Sequence, residues 1–329
     1  MLIYLLRRVL LGLSVVFAAI VATFLLFYMG PSDPTTALCG RQCTPERAAQ
    51  IEQNLGLDRP LSEQFTRYAK GLVVGTSSSD GQGARDCEAP CLGWSYIQNR
   101  PVTDMVKQAF PVTASIVAGG MIVYSILGIS FGVLCARYRG KWLDKSIVGV
   151  SQFVSAVPYY ILAVVFYLYA MKFYGLVPEA TWTPLTESPW AWFTGLLGVW
   201  LFYGAITSTG YIRYIRAAMI DTQSQDYVRT ARSKGISEFD ITFKHALRAA
   251  IAPFLTLLGL GVAAELTGAI FTERVFNLPG MGTIAIRSFG QGDLPVIAGT
   301  VIVGSVLLVV ANIIVDMLYG VVDPRVKLS

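Results

Sequence analysis

DYVRTARSKGISEFDITFKHALRAAIAP, residues 226–253, forms a polar, basic island between two apolar runs, each long enough to cross a bilayer. Its residues predict helix, break, helix. Asp226 stands where an N-cap is wanted, residues 227–234 are good helix formers, and Gly235 tolerates the left-handed C′ position. Ser237 is placed to cap a second helix, with Asp240 three residues on as in a capping box. Phe239, Phe243, Ala246, Leu247 and Ala250 recur at spacings of three and four, so that helix has one apolar face. It is expected to run unbroken into the membrane segment that follows. A short helix on a glycine turn, joined rigidly to a spanning helix, suits a membrane protein that receives a push from a soluble partner. Small Ala231 and bare Gly235 allow close approach, while Tyr227, Arg229, Arg232 and Lys234 can grip a partner's surface. The competing reading is an amphipathic helix lying on the inner leaflet, attracted by anionic lipid. Ser237, Glu238, Asp240, Thr242 and the central glycine suit a docking surface better than a lipid-facing one.

Outward from this island the chain is apolar. With 329 residues, 54% hydrophobic and 14% charged, it is not a soluble globular protein. Six runs can span a bilayer: about 9–29, 112–136, 147–171, 191–212, 249–271 and 296–319. Each has roughly 20 residues or more, enough for a hydrocarbon core of about 30 Å. In an alternating topology, one side holds residues 1–8, 137–146, 213–248 and 320–329, with 15 of the 26 Lys and Arg. The other side holds 11, mostly in one long loop whose charges count for little. Both termini and the island are therefore expected in the cytoplasm. The net charge of +5 is the inner-leaflet bias, and no nucleic-acid partner is needed to explain it.

The basic start, with Arg7 and Arg8 before a long apolar run, reads as a retained first span rather than a cleaved signal peptide. Residues 30–111 form an extracytoplasmic loop domain, expected to be helical, with Thr44 and Pro45 opening one helix and Ser62 capping another. Residues 76–91 are a Gly/Ser/Asp-rich stretch with too little apolar surface to order itself. Cys39, Cys43, Cys87 and Cys91 all lie in this loop, in an oxidising compartment, and read as two disulfides. A metal site built from the two C-x₃-C pairs is the alternative, but the spacing is not that of zinc and no histidine is near. Links between segments 39–43 and 87–91 would each contribute on the order of 3–4 kcal/mol, and that pairing is expected over two local bridges. Cys135 reads as a small buried hydrophobe, and Pro158 is expected to kink the third span. Apolar run 249–271 is lean, with Gly259, Gly261, Ala263, Ala264 and Gly268, and carries Glu265 at membrane depth. An intramembrane carboxylate is either a functional group of a pathway or a structural one bonded to a neighbouring helix.

Several stretches together carry a resemblance. Residues 226–253 resemble the coupling loop of permease subunits in ABC-type importers, in the oligopeptide/dipeptide branch. Ala231, Gly235 and Leu247 match the broad motif, whereas Arg229, Thr230, His245 and Arg248 depart from it as that branch does. YLLRR at the start, LGLD-x-PL-x-x-Q from Leu55, ERVF at 273–276, PGMG at 279–282, D-x-P at 293–295 and the C-terminal DMLYGVVDPR are also similar. The resemblance implies an all-α integral membrane protein with six transmembrane helices and the type I ABC-importer permease fold. Its divisions would be residues 1–29, the outer loop domain 30–111, a permease core 112–319 containing coupling loop 213–248, and tail 320–329.

The same resemblance implies the roles. Tyr227, Arg229, Ala231, Lys234, Gly235, Ser237, Glu238 and His245 would couple to ATPase subunits, and Gly261, Glu265 and Gly268 would border the translocation path. The partners would be a second related permease, two ATPase subunits carrying ATP and Mg, and an extracytoplasmic binding lipoprotein. Lipid would surround the chain in the bacterial inner membrane. This chain would need no cofactor and no metal and would not be an enzyme: it lacks a phosphate-binding loop, since Gly140-Lys141 has neither the upstream spacing nor a following Ser or Thr. Peptides lead as substrate, with nickel chelates and glutathione open. An ion-coupled secondary transporter using Glu265 and Asp316 is the alternative outside the ABC class, though no inverted repeat is visible. An intramembrane serine protease fits poorly, because the lone histidine lies in the basic island.

Overall fold

The computed structural model of the protein describes residues 2–29, 44–55, 58–80, 83–266 and 269–322. Helix α1 (Leu2–Met29) is followed by α2 (Pro45–Leu55) and α3 (Leu61–Val74), then by strands β1 (Thr76–Asp80) and β2 (Gly83–Cys87). The remaining α-helices of six or more residues are α4 (Val102–Arg137), α5 (Trp142–Ala156), α6 (Tyr159–Phe166), α7 (Pro189–Gln223), α8 (Asp226–Ser233), α9 (Leu247–Leu266), α10 (Ile270–Val275), α11 (Met281–Gln291) and α12 (Leu294–Val322), with wider helical turns at Tyr167–Phe173 and Ile241–Ala246. Four of them are long and apolar enough to cross a membrane, and up to six spans result if two bent pairs each count as one.

Helices α4 and α7 pack along their length and form the spine. Small residues make this possible: a Cβ at Gly119 or Gly120 would collide with Trp200 and Tyr203. Val112, Ile116, Tyr124, Leu196, Val199 and Trp200 are buried between them, with Phe276 and Leu278 closing one side. Helix α4 has 36 residues, about 54 Å at 1.5 Å per residue. It therefore starts well before the expected span, at Val102, and residues 102–111 continue the spanning helix rather than the loop. Helix α7 likewise outruns its expected span at both ends. Ser188 caps it, accepting the Ala191 N–H at 3.3 Å, with Pro189 inside the first turn.

Two expected continuities are broken at prolines. The third span is not merely kinked: α5 and the helix from Tyr159 to Phe173 diverge by 98°. Pro158 has no N–H to continue the ladder, and its ring drives Val157 into an extended conformation (φ −86°, ψ 131°). The helical stretch from Glu238 also fails to run straight into its span, bending 47° at Pro253.

The segment between α1 and α4 departs from an all-helical expectation. Pro60 rather than Ser62 precedes α3, so Ser62 lies inside its first turn. Residues 76–87 form a β-hairpin, paired from Thr76↔Cys87 to Asp80↔Gly83. Backbone pairing orders the polar stretch without a hydrophobic core of its own. Cys87 and Cys91 are bonded to each other, with Cα atoms 5.5 Å apart. That corrects the expected link from this segment to residues 39–43. A turn after β2 returns the chain to the separation a disulfide requires, so the nearest thiol is the local one. Cys39 and Cys43 lie outside the described residues. Cys135 is buried with a free thiol, as expected.

The hairpin leads into a segment fastened to the start of α12. Asp293, fully buried, accepts the Ser95 hydroxyl at 2.5 Å and the Tyr96 N–H at 3.2 Å. Leu92, Val102, Met105, Val106, Val296 and Ile302 form an apolar cluster below this fastening. At the first helix, Phe24 meets Phe65 of α3 edge-on at 5.1 Å.

Candidate functional site

The island folds as helix, turn, helix. Gln225 precedes α8, so Asp226 is the first helical residue rather than its cap. There its charge favours the positive end of the helix dipole. At the other end Gly235 adopts φ +73°, the left-handed conformation expected of it. Ile236 N–H donates to the Ala231 carbonyl at 3.3 Å and Gly235 N–H to the Arg232 carbonyl at 3.1 Å. These two bonds form the Schellman closure of a helix. Ser237 then caps the next turn, accepting the Asp240 N–H at 3.1 Å and donating its hydroxyl to the Asp240 carboxylate at 2.7 Å.

Arg232 bridges the two limbs. Its Nε donates to Oε1 of Glu238 at 2.6 Å and its Nη2 to Oε2 at 3.2 Å. That guanidinium holds the Glu238 carboxyl below the usual range. Asp240 is lowered likewise, chiefly by Lys244 and then by the Ser237 hydroxyl. The turn thus carries fixed charges on an ordered backbone. Val228, Ala231 and Ile241 are buried beneath it and join the limbs.

The predicted docking residues divide into two kinds. Tyr227, Arg229, Lys234, Gly235, Ser237 and Glu238 are exposed, whereas Ala231 is buried and supports the turn, and His245 is half-buried. The predicted apolar face divides too. Ala246 and Ala250 pack with Val133, Ile215, Met219 and Phe254. Phe239 and Phe243 instead face outward, their rings 4.6 Å apart. Residues Ile241–Ala246 form wider, i→i+5 turns, which rotate the face that a regular helix would have kept in line. Val228 was missed because one valine on a short polar helix carries no periodic signal.

A second constellation lies on α9, half of a bent pair apolar enough to cross a membrane. Tyr124 of α4 donates to Oε2 of Glu265 at 3.4 Å, and Tyr203 of α7 lies close to that carboxylate. Tyr124 stacks on Tyr211 with ring centres 5.1 Å apart. One turn before Glu265, a Cβ on Gly261 would come 2.8 Å from the Tyr211 hydroxyl. Glu265 and Gly261 thus share a face of α9 turned to three tyrosines. No spacing in the sequence foretold those partners, since they come from two distant helices. Gly268 lies outside the described residues.

The ERVF and PGMG stretches turn out to be one unit. Glu273, fully buried, accepts the Thr113 hydroxyl at 2.7 Å and the Thr283 N–H at 2.8 Å. Its carboxylate therefore caps the N-terminus of α11 from outside that helix. Burial pushes the Glu273 carboxyl above its usual range, against the pull of these donors. Gly280 must be a glycine here, because a Cβ would collide with the carboxyl group.

The chain that carries this turn, the Glu265 cluster and the capped α11 matches known families along its length. The profile described as binding-protein-dependent transport system inner membrane component matches residues 128–328. That of the N-terminal part of such membrane components matches residues 1–117. The chain belongs to this family. As a member it is a multi-pass permease component of the inner membrane. It is 31% identical over 323 residues, 98% of each chain, to a protein of Brucella abortus (strain 2308) provisionally named a peptide transport system permease. It is equally 31% identical over 329 residues, 99% of each, to a "Probable peptide ABC transporter permease protein" of Sinorhizobium fredii. A "Glutathione transport system permease protein" of Escherichia coli O6:H1 is 31% identical over 327 residues, again 99% of each.

Proposed function

We propose that the chain is the membrane-spanning permease subunit of an ATP-driven importer for di- and oligopeptides. The observation that carries this is the rigid, charged helix-turn-helix at residues 226–240, set at one end of the α4–α7 spine in a chain similar over its whole length to peptide permeases. In this reading the turn lies in the cytoplasm with both termini, and six spans result from counting each bent pair once. Two ATPase subunits, holding ATP and Mg, dock on this turn and its counterpart in a second, related permease. An extracytoplasmic lipoprotein delivers the peptide to the outer loop domain.

Mechanically, the Arg232–Glu238 bridge and the Gly235 closure make the two limbs move together. Val228 and Ile241 pass a displacement on to the stretch that carries Ala246 and Ala250 against α4 and α7. Span α9 then moves Gly261 and Glu265 relative to Tyr124, Tyr203 and Tyr211. The Glu265 face of α9 borders the path in this reading, and Cys87–Cys91 with its hairpin belongs to the outer docking platform. The chain itself supplies no catalytic residue and holds no cofactor.

A second reading keeps the machinery and changes the cargo to glutathione, favoured by the Escherichia coli relative. Reconstitution in liposomes with the cognate ATPase subunits and binding protein tests both. Uptake of labelled peptides that requires ATP is expected. Uptake of glutathione alone would replace the substrate, and uptake without ATPase subunits would overturn the importer reading.

A further inference from the structure

The turn between α4 and α5, RYRGKWLDK at residues 137–145, carries four cations and one acid. The acid points inward. Asp144 is 2% exposed and accepts Arg216 twice, from Nε at 2.6 Å and Nη2 at 2.8 Å, and the Gly140 N–H at 2.8 Å. Its charge is met first by Arg216 of α7 and to a smaller extent by Arg139 of its own turn, so the four cations remain in excess there. Arg137, Arg139, Lys141 and Lys145 are all exposed, and among the described residues none of them is in an ion pair. Lys141 lies over the Tyr138 ring, 5.4 Å from its centre, so its charge is held at the turn.

The neighbouring helix says what covers these cations. Trp142, Val150 and Phe153 share one face of α5 and are strongly exposed, Trp142 at 82%. On a helix of a membrane component, an apolar stripe of that kind faces acyl chains. A tryptophan at its end then lies at headgroup level. Lys141 and Lys145 flank that tryptophan, and Arg139 lies two residues before Lys141. From this geometry we infer that the 137–145 turn is a binding site for an anionic phospholipid. The phosphodiester sits among Arg139, Lys141 and Lys145, and the acyl chains lie along Trp142, Val150 and Phe153. The site uses none of the residues assigned to substrate or coupling, and it makes the junction of α4, α5 and α7 sensitive to lipid composition.

The test uses the full-length chain in nanodiscs of phosphatidylcholine, with or without phosphatidylglycerol. Retained lipid is measured by native mass spectrometry and stability by thermal unfolding. Preferential retention of phosphatidylglycerol, a higher unfolding temperature with it, and loss of both at high salt are expected. The triple variant Arg139→Gln, Lys141→Gln, Lys145→Gln should weaken retention roughly a hundredfold, at about fivefold for each cation. The charge-conserving Arg139→Lys, Lys141→Arg, Lys145→Arg should retain it. Equal retention of the two lipids by the native chain would overturn the inference, as would undiminished retention by the glutamine variant. Loss in both variants would make the effect one of folding and would also overturn it. Competition by soluble glycerol phosphate at equal concentration would reassign the surface to free anions.

Discussion

Arg232 grips both carboxylate oxygens of Glu238 across the Gly235 turn. The pair lies outside the buried Val228–Ile241 contact and closes the same two limbs from the solvent side. Both side chains are about half exposed, so the bridge contributes little to global stability. Its consequence is geometric: it fixes the angle at which the turn meets a partner.

Glu238→Gln is therefore expected to shift stability by less than about 1 kcal/mol while reducing transport coupled to ATP hydrolysis. Exchanging the charges, Arg232→Glu with Glu238→Arg, should recover much of the coupling. Failure of the exchange while both single variants assemble normally would show that Glu238 contacts the partner directly.

Gly235→Val meets open space, since nothing lies within 4 Å of a Cβ there. Its cost is entirely that of the left-handed backbone, about 1–2 kcal/mol for a residue with a Cβ. The Schellman closure should open, and ATPase subunits should assemble poorly or hydrolyse ATP without transport. Gly235→Asn, which tolerates that conformation, should be milder. Normal substrate-stimulated transport in the valine variant would remove the turn from the coupling role.

Glu265→Gln keeps the size of the side chain and its reach to Tyr124 and Tyr203. In a well-assembled complex it should change transport rate or substrate preference. Kinetics indistinguishable from the native chain, with Tyr124→Phe and Tyr203→Phe lowering only the yield of folded protein, would make the cluster structural.

Glu273→Ala should be among the most damaging single changes outside the spans. The Thr283 N–H left unsatisfied in a buried site costs about 1–3 kcal/mol. Thr113→Val also removes an acceptor for the Met281 N–H at 2.9 Å and should be damaging in the same way. Hydrogen exchange at residues 281–284 reports it: protection equal to that of the native chain would contradict the capping role.

Non-reducing peptide mapping of protein isolated with blocked thiols should find Cys87 linked to Cys91. Replacing both with serine should loosen the hairpin while leaving the Asp293 fastening in place, because Ser95 and Tyr96 bind it independently. A Cys87 peptide linked to residues 39–43 would restore the long-range arrangement.

The sequence by itself determined what local physics controls. Apolar runs of sufficient length mark the spans, because a bilayer admits only segments that satisfy their own backbone. Gly235 and Ser237 were legible because a left-handed C′ and a side-chain cap are each decided within a few residues. The spread of Lys and Arg marked which side the turn faces in the proposed topology.

Only the tertiary structure decided what depends on distant elements. Pro158 announces a break, but whether a helix bends slightly or turns by 98° depends on what packs against each half. Glu273 and Asp293 looked like parts of motifs; one caps a helix whose loop Thr113 also holds, and the other fastens a segment nearly 200 positions earlier in the chain. Glu265 was visible as a costly carboxylate, but its tyrosine partners come from α4 and α7, which approach closely because glycines line their contact. The cysteines mark the limit most sharply. Chain entropy favours closing the longer loop, yet Cys87 joins Cys91 because the fold of that segment brings their Cα atoms to 5.5 Å.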